Sequence, residues 1–256
     1  MVGMAEYGRN ADPEVLAAKH LRIRELHVAP LNELADTIAD VRGLPRSYIP
    51  YVDPDCGGVH ARALVMLDNP STNAEAGTGS GLLSLDNNDR TARNLRQAFQ
   101  RHDIAWKDVV PWNAVPFPVA GKNGGPTAAE RQQGAPWIKE FVSRCPNLEI
   151  VLLLGRAAED GWKRAGVATA FTLVPGPVPH CSPRGLTTAN ARQRFDDAIA
   201  YLANVLKKAR KANQHFSGGL ASAPEGEVHP RPGPAGALNS EGVLPAKATV
   251  VPGSRH

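Results

Sequence analysis

The chain has few cysteines, no long apolar run and little net charge of either sign, and each shortage removes a class of protein. Cys56, Cys145 and Cys181 are the only cysteines and stand far apart with no CxxC pair. They cannot build a disulfide framework or a four-cysteine metal or iron–sulfur site, so a reduced, cytoplasmic setting is the expectation. No apolar stretch is long enough to span a bilayer. The N-terminus, MVGMAEYGRNADPEV, lacks the apolar run of a secretory signal. The formal charge is +4 over 256 residues, too small to name a partner. Its placement says slightly more: in residues 213–256, Glu225, Glu227 and Glu241 cancel Arg231, Lys247 and Arg255. The excess therefore lies upstream, compatible equally with a basic face for phosphates and with an ordinary solvated surface. There is no internal repeat.

What is present is an ordinary globular composition, 42% hydrophobic and 21% charged, long enough to bury a full core. Residues 1–12 read as a flexible end. Residues 13–42 read as helical, with Leu31, Leu34, Ile38 and Val41 at helix spacing, until Gly43 and Pro45 break the pattern. The run ALVML, residues 63–67, reads as a buried parallel strand. Residues 89–101 form a helix with arginines on one side. Residues 109–112 form a second strand, whose Pro111 predicts a sheet edge or a strand end. Thr127, with Glu130 three residues on, predicts a capped helix over 127–144. IVLLL, residues 150–154, is the clearest strand, and a short helix over 156–165 follows. Residues 171–174 give a fourth strand and 188–212 a last amphipathic helix. Residues 213–256, rich in Gly, Pro, Ala and Ser without periodicity, are expected to be disordered.

Strands alternate with helices throughout. That predicts an α/β fold, a three-layer α/β/α sandwich around a four-stranded parallel sheet spanning 13–212, with a site outside the carboxyl ends of the strands. LDNPS follows the first strand, WNAVPF the second and HCSPRG the fourth, so their polar groups converge at one sheet edge.

These segments resemble motifs of the uracil-DNA glycosylase superfamily. ALVMLDNPS, with AGTGSG at residues 76–81, is similar to the first motif of the mismatch-specific thymine/uracil and single-strand-selective branches, where Asn-Pro stands in place of Asp-Pro. WNAVPF resembles the segment of the pocket asparagine, VLLLGRAAE the third strand and its turn, and HCSPRGLTTAN the His-Pro-Ser motif. Two positions depart from the pattern. The motif reads His180-Cys181-Ser182, and Leu82, Leu83 and Leu85 stand where an aromatic residue would stack on the base.

The resemblance implies a monofunctional, monomeric glycosylase without metal or organic cofactor, acting on DNA that contains uracil or another deaminated base in bacterial nucleoid-associated DNA. Its roles suit the side chains. His180, neutral, can donate to a base oxygen as negative charge develops there. Asn69 can hold a water but is a poor base. Asn113 can pair with the NH and carbonyl of uracil together. Asp68, Pro70 and Leu83 fall in the base-binding segments, although strand alternation points the Asp68 side chain to the other face. Ser71, Ser182 and Pro183 fall where phosphate is met, and Arg184 and Leu186 in the loop that would enter the duplex. Arg90, Arg93, Arg96, Lys207, Lys208, Arg210 and Lys211 are candidates for the DNA backbone, with a solvated helix face the commoner reading of such residues. No lysine lies in the motifs to form a Schiff base, so hydrolysis by water is the implied reaction. The departures leave two alternatives: a catalytically weak module that binds damaged or abasic DNA, and a glycosylase for hypoxanthine or xanthine.

Overall fold

The computed structural model describes residues 8–70, 79–119, 125–167 and 171–218, with side chains as far as residue 208. The expectations for residues 1–7, 71–78 (including Ser71) and 219–256, and for the side chains of Arg210 and Lys211, lie outside the described residues.

The apolar runs become the predicted parallel sheet. Ala63–Leu67 (β2), Val109–Asn113 (β4), Ile150–Leu153 (β5) and Thr172–Leu173 (β6) lie in the order β4-β2-β5-β6, all parallel. Side chains alternate between two apolar clusters, as the pleat requires. Leu64, Met66, Val110, Trp112 and Val151 join one cluster with Ala29–Arg42 (α2), Ala128–Ser143 (α4) and Arg156–Ala165 (α5). Ala63, Val65, Val109, Ile150 and Leu152 join the other with Arg90–Arg101 (α3) and Ala189–Gly218 (α6). The result is the three-layer sandwich. Pro111 lies in edge strand β4, where its missing N–H costs no ladder bond on the outer side. The helix starts are fixed locally: the Asp89 side chain accepts from the Ala92 N–H, and Thr127 and Glu130 form a capping box.

Four expectations change. The single helical stretch over 13–42 is two helices, Pro13–His20 (α1) and α2, joined by turns. Pro30 in the first turn of α2 has no N–H to continue a helix from upstream, and Leu21 and Leu26 between the two are 88% and 91% exposed. Of the periodic apolar residues, Leu31, Leu34 and Ile38 are buried but Val41 faces solvent. The expected fourth strand over 171–174 shrinks to the two exposed residues of β6, because Pro175, Pro177 and Pro179 cannot donate to a ladder. A single parallel bridge, Leu154 to Val178, carries the chain on toward His180.

Residues 8–12, expected to be a flexible end, are packed. Arg9–Ala11 form a 3-10 turn and the Asp12 side chain caps α1. The last helix runs to Gly218 rather than 212, since neither glycine nor proline intervenes over 213–217. A short parallel pair not expected from the sequence, Tyr51–Val52 (β1) with Leu82–Leu83 (β3), lies outside the main sheet.

Candidate functional site

The strand carboxyl ends and the start of α3 enclose a cavity of about 280 Å³. Asn69 and Pro70 enter from the end of β2, Asn113 from the end of β4, and His180 from beyond β6. Leu67, Pro111 and Asn113 reach it because their positions alternate onto the α3 side of the sheet. The opposite wall is Leu82–Leu85 with Asn87, and the first turns of α3 add Asp89, Arg90, Ala92 and Leu95.

His180 is held by its own turn. The Ser182 N–H donates to His180 Nδ1 at 3.1 Å. Nδ1 is therefore an acceptor, and the neutral ring carries its proton on Nε2. Burial lowers the pKa of His180, a change that the nearby Asp68 charge only partly offsets. The ring is thus a neutral donor rather than an acid. Ser182 also closes the turn: its Oγ accepts from the Gly185 N–H at 3.3 Å, and its carbonyl accepts from the Gly185 and Leu186 N–H groups at 2.9 and 3.1 Å.

Asp68 points away from the cavity, as alternation predicts, and is absent from its lining. Its carboxylate accepts from the Ala158 N–H in the first turn of α5, where the helix end favours negative charge. Burial nevertheless wins and raises its pKa, with His180 the largest opposing influence. Asp68 Oδ1 is buried without a hydrogen-bond partner. Gly155 lets the two groups approach: its φ is +90°, and a Cβ there would stand 3.1 Å from His180 Cβ and 3.2 Å from Asp68 Oδ1.

Asn113 is 2% exposed, borders the cavity and has an amide nitrogen without a partner. A buried amide donor of this kind costs about 1–3 kcal/mol while unpaired, which a ligand oxygen would relieve. The Asn69 amide donates to the Pro70 carbonyl at 2.8 Å, leaving its own oxygen as an acceptor for water.

The structure brings Asn69, Pro70, Leu83, Asn113 and His180 to one cavity and leaves other candidates elsewhere. Pro183 and Arg184 are exposed on the turn after His180, whereas Leu186 is half-buried against the α3/α6 cluster. Cys181 is fully buried in that cluster, and its carbonyl accepts from Asn94 at 2.7 Å. The departure from His-Pro-Ser is thus a core residue facing away from the cavity. On α3, Arg90 borders the cavity and Arg96 donates to the Leu85 carbonyl. Lys207 and Lys208 belong to the far end of the sheet. The neighbouring Leu206 carbonyl accepts from Arg62, which precedes β2.

Sequence reasoning missed Trp106. It stands in a 3-10 turn before β4, borders the cavity, and has a buried indole N–H without a partner. No motif marks it; its one signal is that it is one of four tryptophans in a chain with 5% aromatic residues. No protein-family model and no curated protein matches this chain.

Proposed function

We propose that the chain is a monofunctional DNA glycosylase that hydrolyses the N-glycosidic bond of uracil in DNA, by flipping the base into the cavity below His180. The observation that carries this reading is the neutral His180 ring, its Nδ1 tied to the Ser182 N–H, beside Asn69 and Asn113 in one cavity. Cleaving the bond places negative charge on the departing pyrimidine and positive charge on the sugar. A fixed donor at the base oxygen stabilises the anion as it forms, and loss of such a donor costs on the order of 10²–10³ in rate. Asn113 offers the paired donor and acceptor that match uracil and mismatch cytosine. Asn69 holds a water without deprotonating it strongly, so the reaction relies on leaving-group stabilisation more than on base catalysis.

The exposed Arg184 sits on the same turn as His180, where a cationic side chain meets phosphates or fills the gap left by a flipped base. Cys181 lies in the core and does not border the cavity.

Incubation with oligonucleotides carrying one uracil, in single-stranded, U:A and U:G forms, followed by alkali, tests the proposal. Strand breaks at uracil are expected; intact strands in all three forms refute it. A second reading, excision of a deaminated purine, is favoured by one observation. Five leucines line the cavity, and Pro111 and Trp106 border it beside Asn113. Adding hypoxanthine and xanthine oligonucleotides to the panel separates the two.

A further inference from the structure

The cavity wall Leu82–Asn87 has no regular structure beyond the two residues of β3, yet it supplies Leu82, Leu83, Ser84, Leu85 and Asn87 to the lining. What holds it comes from the other end of the chain. Lys19, in α1, is 3% exposed, and its Nζ lies 2.7 Å from Asp53, 2.8 Å from Asp86 and 3.3 Å from Asp55. Asp86 belongs to the wall itself. Asp53 follows β1 and accepts from the Ser84 hydroxyl, and the Asp86 N–H donates to the same hydroxyl at 3.0 Å. One ammonium thus ties the wall at Ser84 and at Asp86.

Residues Gly8–Asp12 add a strap across it. The Asn10 N–H donates to the Asp86 carbonyl at 3.0 Å, and the Asn10 amide donates to Asn87 Oδ1 at 2.8 Å. Arg9 bridges Asp55 and Asp86 at 3.0 and 2.5 Å. The approach is close: a Cβ on Gly8 would stand 2.1 Å from the Asp86 carbonyl oxygen. Asn87 in turn donates to the Leu82 carbonyl at 2.8 Å, so the strap and β3 are linked through one side chain.

We propose that Lys19 is a positioning residue of this cavity: with the strap Gly8–Asp12 it fixes the wall Leu82–Asn87 and thereby sets how tightly a base is held. Lys19 is not itself among the residues bordering the cavity. It acts through Ser84 and Asp86. The structural half of this proposal stands on the geometry alone; the effect on base affinity rests on reading the cavity as a base pocket.

The test compares the full wild-type chain with Lys19→Met, Asn10→Ala and Gly8→Ala, by hydrogen exchange and by excision kinetics on a uracil oligonucleotide. In each variant, exchange over 82–87 is expected to quicken at least tenfold, and in the two strap variants β2 and β5 keep wild-type protection. KM is expected to rise about tenfold with kcat within twofold, the signature of lost uniform binding. A merely structural role would reduce the active fraction, and so kcat, without moving KM. Should Lys19→Met also open β5, the two strap variants decide. Wild-type protection over 82–87 in both strap variants overturns the proposal, as does a fall in kcat at constant KM. If the wild-type chain excises no uracil, the base-pocket reading fails and takes the affinity claim with it, while exchange still decides whether the strap holds the wall.

Discussion

Two sets of carboxylates in this chain, each partly or fully withdrawn from solvent, meet opposite surroundings. Asp53, Asp55 and Asp86 gather around Lys19 within 3.3 Å, with Arg9 and Arg22 closing the rim. There the cations outweigh desolvation, and the pKa values of Asp86 and Asp55 fall, Asp55 to about 2. Among the described residues Asp68 has no cation in contact, one backbone N–H and one oxygen without a partner, and its pKa rises. Burial is common to both; the difference is whether charge compensation is complete. The saturated cluster braces a wall. The unsaturated carboxylate faces the histidine at the cavity, where an incompletely compensated charge can tune a neighbour.

The most severe way to break the contrast is to remove the central cation. Lys19→Met leaves the buried Asp53 carboxylate without its cation, and breaking a buried ion pair in this way costs about 3–5 kcal/mol. Urea unfolding should show the midpoint falling accordingly; a midpoint within experimental error of wild type would mean that the carboxylates relax into water.

At the cavity, His180→Ala should cut turnover at least a hundredfold while leaving DNA affinity mostly intact, because the donated bond strengthens only as the anion forms. Single-turnover excision and equilibrium binding measured side by side check this. Equal losses in both would place His180 in ground-state binding.

Acid separates the two groups more gently. Asp55 has a folded-state pKa below its ordinary value of 3.8, so the unfolded chain binds the proton more readily. The stabilisation is fully present above about 3.8 and disappears as pH falls through about 2, a loss on the order of 1 kcal/mol once solvent screening of this partly exposed group is allowed for. Asp86 changes in the same direction. Denaturant midpoints between pH 5 and 2 should fall in the wild type, and less steeply in Lys19→Met, where these carboxylates keep Arg22 and Arg9 but have lost the ammonium they share.

The smallest effect sharpens the comparison at Asp68. Its charge raises the pKa of His180 against burial. Asp68→Asn should therefore move the His180 titration to lower pH, and with it the acid limb of excision. Histidine ring resonances followed by NMR across the pH range give the direction; an unmoved titration would show that Asp68 carries no charge over that range and does not act on His180 electrostatically.

The sequence by itself determined what depends on neighbours in the chain. Runs such as ALVML and IVLLL, short and bounded by turn residues, read as buried strands, Asp89 and Thr127 cap the helices that follow them, and strand alternation sends Asp68 and Asn69 in different directions. With the strands parallel, the segments after them had to meet at one edge, which is why Asn69, Asn113 and His180 were legible as a group. The tertiary structure alone decided what depends on distant partners. Lys19 is an ordinary helix lysine until Asp53 and Asp86, 34 and 67 residues away, surround it. Leu82 and Leu83 become a strand only because Tyr51 and Val52 offer an edge. Cys181 sits in the core and Trp106 at the cavity because of the packing of α3 against β4 and α6, and no local pattern encodes a contact whose other half lies elsewhere in the chain.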